Sequence, residues 1–123
     1  MQKVLIIEDD ADTLEFVSEI LGHLKLRIIS SYTLLNIEQV ASIKPQVILL
    51  DHWVGKGRGS ELCEALKKDA RTKNIRIIMF SGDPDIGRIA AGSRADGFVQ
   101  KPFDVDRVLE LFESTQLKKI SAN

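Results

Sequence analysis

Residues 47–53 read Val-Ile-Leu-Leu-Asp-His-Trp, four apolar residues running straight into an acid, a histidine and a tryptophan. Nothing polar interrupts the apolar run, which is the pattern of a strand buried on both faces. Gly55, Gly57 and Gly59 follow and turn the chain into a loop at once. Asp51 therefore stands where a central strand leaves the core, the edge at which open α/β sheets place their ligand chemistry.

Working outward, residues 4–7 form a first strand that ends in Glu8, Asp9 and Asp10. Leu14, Val17, Leu21 and Leu24 recur at helical spacing and predict a first helix over residues 11–24. Residues 26–29 give a short second strand. Leu34, Ile37, Val40, Ala41 and Ile43 mark a second helix, with Thr33 placed to cap it. Pro45 stops it, because proline disfavours helical geometry in the residue before it.

Beyond the opening stretch, Ser60 is placed to cap a third helix in which Leu62, Cys63 and Leu66 face inward. Residues 75–80 are a fourth buried strand, ending at Ser81-Gly82-Asp83-Pro84. A short fourth helix is expected over residues 85–91, weakened by Gly87 and Gly92. Residues 97–100 supply a fifth strand, followed by Lys101-Pro102-Phe103. Asp104 then caps a last helix with Val105, Val108, Leu109 and Phe112 on one face. Residues 118–123 are polar and are expected to fray.

The pattern is β-α five times over, with no repeat, linker or low-complexity segment. It predicts one α/β domain across residues 1–123, a doubly wound (βα)5 sandwich. The five-stranded parallel sheet has helices on both faces and strand order 2-1-3-4-5. In that order the switch point lies between the first and third strands, and both end in acids here.

Composition narrows the function classes. At 123 residues and 13.8 kDa the chain suits one domain with a real core. A formal net charge of −1 offers no basic footprint, so neither direct nucleic-acid contact nor a polybasic membrane signal is expected. No apolar run approaches the ~20 residues of a membrane span, and no signal-peptide architecture precedes the first strand. The single cysteine, Cys63, excludes an internal disulfide and fits a reducing compartment, so the expected location is cytoplasmic.

Glu8, Asp9 and Asp51 are predicted to converge at one rim of the sheet. Three neighbouring carboxylates repel one another unless a cation or shared protons relieve them. All-oxygen ligands suit a hard divalent ion such as Mg²⁺. The same rim receives Ser81 and Lys101, and a hydroxyl and an ammonium facing a metal-loaded carboxylate make a setting for phosphoryl transfer. A carboxylate is then able to act as nucleophile and form an acyl phosphate. Each residue also has an ordinary reading. Asp9 or Asp10 is able to cap the first helix, Asp51 and Ser81 to serve turns, and Lys101 to be a solvated charge. Their joint placement at the ends of four strands favours the chemistry. His52 has only the distant His23 for company, so no zinc site is expected and His52 lines the rim. Cys63 reads as core, and Trp53 as partly exposed.

With these pieces in order, the chain resembles the receiver domain of two-component response regulators, CheY-like, over nearly its whole length. The matching pieces are Val-Leu-Ile-Ile-Glu-Asp-Asp from Val4, Val-Ile-Leu-Leu-Asp from Val47, Gly59, Ile-Ile-Met-Phe-Ser-Gly from Ile77 and Lys101-Pro102-Phe103. The resemblance implies a flavodoxin-like fold with Asp51 as phospho-acceptor. Asp9 and Asp51 would bind Mg²⁺, Glu8 would act mostly through water, and the Trp53 main-chain carbonyl would be a further metal ligand. Ser81 matches the family's phosphoryl-binding hydroxyl, Lys101 the lysine that pairs with the phosphoryl group, and Phe98 the switch aromatic. Lys101-Pro102 is expected to be cis.

The implied partners are a sensor histidine kinase or phosphotransfer protein and a downstream protein target, with the chain a monomer or weak homodimer. It is a phosphoacceptor that assists its own phosphorylation and dephosphorylation rather than an enzyme. Its output surface would be helix four, strand five and helix five. The alternative is a phosphate-independent receiver-like interaction module. Departures from the family pattern are Gly55 where proline is usual, Arg94 where glycine is usual, and a segment from Ser81 to Lys101 about two residues short. The last predicts a shortened or irregular fourth helix. Bulky Trp53, two residues past the acceptor, predicts a comparatively long-lived phosphoaspartate.

Overall fold

The computed structural model describes residues 2–102 and 104–112. Strands β1 (Gln2–Ile7), β2 (Leu26–Ser31), β3 (Val47–Asp51), β6 (Arg76–Ser81) and β7 (Gly97–Gln100) form one sheet. A two-stranded hairpin, β4 (Trp53–Val54) and β5 (Gly57–Arg58), stands apart from it. The helices are α1 (Ala11–Leu21), α2 (Ile37–Ile43), α3 (Gly59–Lys68) and α4 (Ile86–Gly92), with a fifth, α5, over residues 105–112. The sheet runs β2-β1-β3-β6-β7 and every pairing in it is parallel. This is the expected 2-1-3-4-5 order, with β6 and β7 as the fourth and fifth strands.

All five residues of β3 are buried, as the unbroken apolar run requires. Alternate side chains of each strand enter opposite cores. Val4, Ile6, Leu49, Ile78 and Phe80 pack with Leu14, Val17 and Leu21 of α1 and with Val108 and Phe112 of α5. Leu5, Ile7, Ile48, Leu50, Ile77 and Met79 pack with Val40, Cys63, Leu66, Ile86 and Ala90 of α2, α3 and α4. The sheet is thus covered on both faces, which places its strand ends, rather than a face, in contact with solvent.

Several local expectations shift. α1 stops at Leu21, because Gly22 closes it with its N–H on the carbonyls of Ile20 and Ser18, and Leu24 packs on the core from beyond the helix. α2 is capped by Asn36 and not by Thr33. Asn36 Oδ1 accepts the Gln39 N–H at 2.8 Å and Gln39 Oε1 accepts the Asn36 N–H at 2.9 Å, a reciprocal capping box. Thr33 instead sits in a turn closed by the Ser31 hydroxyl. Ser60 does not cap α3; that helix begins at Gly59 with Arg58 at the cap position and no side-chain cap bond. Asp104 does cap α5, accepting the Arg107 N–H at 3.0 Å, but Val105 faces solvent rather than the core. Phe103 and residues 113–123, including the tail expected to fray, lie outside the described residues.

The fourth helix is short, seven residues, as the shortened segment predicted. Arg94, in the place of a usual glycine, adopts φ 66, a left-handed conformation that costs a non-glycine residue about 1 kcal/mol. Lys101-Pro102 is cis, as expected. No helix among the described residues is long and apolar enough to cross a membrane.

Candidate functional site

Four strand ends and one loop build the site. Glu8 follows β1 and is 1% exposed, although its neighbour Asp9 is exposed. Asp51 closes β3 and Ser81 closes β6, and both are buried. One carboxylate oxygen from each of Glu8, Asp9 and Asp51 lies within 4.8 Å of the others. Lys101, just past β7, sends its ammonium to Glu8 at 2.8 Å and to Asp51 at 3.5 Å, passing over the Phe80 ring at 4.9 Å. The structure thus brings together the three acids and the lysine picked out in the sequence.

Sequence reasoning left open whether Asp9 or Asp10 caps α1. Asp10 takes that role, accepting the Thr13 N–H at 3.0 Å, and the hydroxyl and N–H of Thr13 hold its carboxyl below the usual range. Asp9 is left for the cluster. The Ser81 hydroxyl accepts the Asp83 N–H at 3.1 Å, and the Ser81 carbonyl accepts the Lys101 N–H at 2.8 Å, which ties the ends of β6 and β7 together.

The electrostatics follow from burial. Two buried carboxylates share one ammonium, with a third carboxylate alongside. Burial pushes Glu8 up from 4.5 to about 7, against the opposing hydrogen bonds from Lys101 and from the Asp10 N–H. Burial likewise raises Asp51, opposed by the charge of Lys101 and by a hydrogen bond with Glu8. Charge is under-compensated here, and the donors are all oxygen. That is the environment a hard divalent cation satisfies, and Glu8, Asp9 and Asp51 are placed to hold one.

The surroundings complete the geometry. A cleft of about 560 Å³ opens beside Lys101, lined by Asp12, Thr13, Phe16, Gly82 and Pro102. Gly59 touches the end of β3: a Cβ there would lie 2.0 Å from the Asp51 carbonyl oxygen, so only glycine fits. Trp53 is half exposed, as expected, with the Arg58 guanidinium 5.5 Å from its ring. His52 is buried and meets the Trp53 ring edge-on at 4.5 Å. Its Nδ1 has no hydrogen-bond partner among the described residues, and burial lowers its pKa. Cys63 is core, its thiol donating to the Ser93 carbonyl at 3.4 Å.

A family model, the response regulator receiver domain, matches residues 4–113. The chain belongs to that family. Among its relatives, the DNA-binding dual master transcriptional regulator RpaA of Synechocystis is 30% identical over 112 residues, covering 89% of this chain and 46% of the relative. The hybrid signal transduction histidine kinase D of Dictyostelium discoideum is 26% identical, covering 94% of this chain and 8% of that protein. The receiver therefore spans less than half the length of these relatives. Solved structures agree in fold. The chemotaxis protein CheY4 of Vibrio cholerae superposes with TM-score 0.79 at 20% identity, covering 93% of this chain and 98% of that one. A CheY-like receiver domain protein from Methanospirillum hungatei gives 0.82 at 19%, covering 100% and 99%.

Within the receiver, Phe98 is 46% exposed and lies against α4: a Cβ on Gly87 would come within 3.0 Å of its ring. Gly87, read from the sequence only as a weak helix former, is thus where α4 makes room for that ring. Sequence reasoning missed the β4–β5 hairpin, treating residues 55–59 as open loop. Its signal was present, since Gly55-Lys56 is a glycine-first pair between Val54 and Gly57, the two-residue turn of a tight hairpin.

Proposed function

We propose that this receiver is a phosphoacceptor switch in which Asp51 takes a phosphoryl group from a sensor histidine kinase, a phosphotransfer protein or a small phosphodonor. The observation that carries the reading is the cluster itself: Glu8, Asp9 and Asp51 with ligand atoms within 4.8 Å, and the Lys101 ammonium reaching two of them. Glu8, Asp9, Asp51 and the main-chain carbonyl of Trp53 would hold Mg²⁺. When bound, the ion offsets the charge on the transferring oxygens.

An Asp51 carboxylate oxygen attacks phosphorus. The bond from phosphorus to the donor's nitrogen or oxygen breaks, and the electron pair leaves with the donor. Lys101 is released from Glu8 to pair with a phosphoryl oxygen. Ser81 turns its hydroxyl from the Asp83 N–H to the same group. The cleft lined by Thr13, Phe16 and Pro102 gives a donor room to approach. The new charge of roughly −1.5 to −2 biases a two-state surface. As Ser81 moves toward the phosphoryl group, the outward Phe98 rotates into the space it leaves, and the α4–β7–α5 face changes shape for a downstream protein target. No direct nucleic-acid contact belongs to this reading. The location is cytoplasmic, the chain is a monomer or weak homodimer, and it acts as a signalling module, not an enzyme with a turned-over substrate.

The test is a titration of the chain with Mg²⁺ and then BeF₃⁻, followed by Trp53 fluorescence and by the amide resonances of Ser81 and Phe98. Saturable, Mg²⁺-dependent shifts at all three positions are expected. No response to either addition would point instead to an interaction module independent of phosphate.

A further inference from the structure

The β4–β5 hairpin makes a contact with the acidic cluster that the phosphoacceptor reading does not use. Its turn residue Gly55 donates its N–H to Asp9 Oδ2 at 2.7 Å, across 46 residues of sequence. Gly55 has φ 59 while nothing lies within 4 Å of where its Cβ would be, so the backbone, and not crowding, favours a residue at ease with positive φ there. Receivers usually carry proline here. Proline fixes φ near about −65° and has no N–H, so it is able neither to adopt this turn nor to make this bond.

The other end of the hairpin is equally fixed. The Gly59 N–H meets the His52 carbonyl at 2.6 Å, and β4 and β5 pair Trp53 with Arg58 and Val54 with Gly57. Trp53, whose carbonyl is assigned to the cation site, therefore lies between two anchors: the Gly55 bond to Asp9 and the Gly59 bond to the end of β3.

We propose that the Gly55 N–H is a positioning group for the cation site, clamping Asp9 and the Trp53 segment in register with Asp51. The proposal rests on the Mg²⁺ reading above. Glu8 and Asp51 are held by burial, whereas Asp9 is exposed, and its only fixed partner among the described contacts is this amide. A carboxylate has two oxygens. Holding one orients the group and leaves the other for the ion. A cation then meets a site already ordered, whereas without the clamp its binding must order the Asp9 rotamer and the hairpin itself.

The test uses Gly55→Pro, which removes the donor, and Gly55→Asn, which keeps it and tolerates positive φ. The first readout needs no variant: exchange of the Gly55 amide with solvent deuterium in the metal-free wild type, where protection is expected. The second is Mg²⁺ affinity by Trp53 fluorescence, with folding checked by circular dichroism. Losing a charge-assisted hydrogen bond is expected to raise the Mg²⁺ dissociation constant about tenfold in Gly55→Pro, with Gly55→Asn within about twofold of wild type. A Gly55 amide that exchanges at the unstructured rate while Mg²⁺ still binds overturns the clamp alone. So does a folded Gly55→Pro chain with wild-type affinity. A wild-type chain that binds no Mg²⁺, its Gly55 amide protected or not, overturns the functional reading and the clamp's role with it.

Discussion

Replacing Glu8 by glutamine tests the electrostatics of the site directly. Glu8 is buried, bonded to the Lys101 ammonium at 2.8 Å and to the Asp10 N–H at 3.0 Å, and shares that ammonium with Asp51. Its carboxyl is pushed from 4.5 to about 7, chiefly by burial. A raised carboxyl pKa means that the folded chain binds the proton more tightly than the unfolded chain does. The stability linked to it is fully present below about 4.5 and is lost as pH rises through about 7. The difference between those two values, at about 1.4 kcal/mol per unit, sets an upper figure of roughly 3 kcal/mol. Glutamine keeps the size and hydrogen-bonding reach of glutamate but carries no charge. In urea unfolding with EDTA present, wild type and Glu8→Gln should be similar at pH 4.5. The variant should become more stable than wild type by roughly 1–3 kcal/mol at pH 8. Added Mg²⁺ should stabilise the wild type more than the variant. Parallel pH profiles for the two proteins, with equal responses to Mg²⁺, would refute the reasoning.

Three further outcomes follow from single contacts. Gly59→Ala places a Cβ 2.0 Å from the Asp51 carbonyl oxygen, a backbone atom that is not free to give way. It should cost about 1–3 kcal/mol in urea unfolding and weaken Mg²⁺ binding, and a variant of wild-type stability contradicts the packing described. Cys63 is wholly buried and burial raises its thiol pKa, so a thiol reagent at pH 8 should label it only as fast as the chain opens. Immediate stoichiometric labelling would contradict this. Trp53, with the Arg58 guanidinium over its ring and two residues past Asp51, should shield a phosphoaspartate formed there from water. Trp53→Ala should shorten the phosphorylated lifetime, and equally rapid decay in both proteins would defeat the idea.

Much of this architecture was legible because long-range order and local pattern agree. The unbroken run at residues 47–50 specified a doubly covered central strand, and five β-α repeats then allowed few topologies. The convergence of Glu8, Asp9, Asp51 and Lys101 followed from their positions at strand ends, since a parallel sheet brings its carboxyl ends to one rim. What escaped was set by single hydrogen bonds. Thr33 and Asn36 are both good caps, and the reciprocal bond from Gln39 decides for Asn36. Asp9 and Asp10 are chemically the same, and only the direction in which α1 starts assigns the cap to Asp10. Glycine-rich residues 55–59 looked like a flexible loop, whereas the positive φ of a hairpin turn favours Gly55 and close approach to Asp51 imposes Gly59. Glycine signals permission, and tertiary contact determines how it is used.

The central claim, that Asp51 accepts a phosphoryl group with help from Mg²⁺, is tested most directly by intact-mass spectrometry. Wild type and Asp51→Asn would be incubated with acetyl phosphate, with and without Mg²⁺. The account predicts one phosphoryl adduct on the wild type that depends on Mg²⁺ and is absent from the variant. An adduct of equal yield on Asp51→Asn, or none on the wild type under any condition, would contradict it.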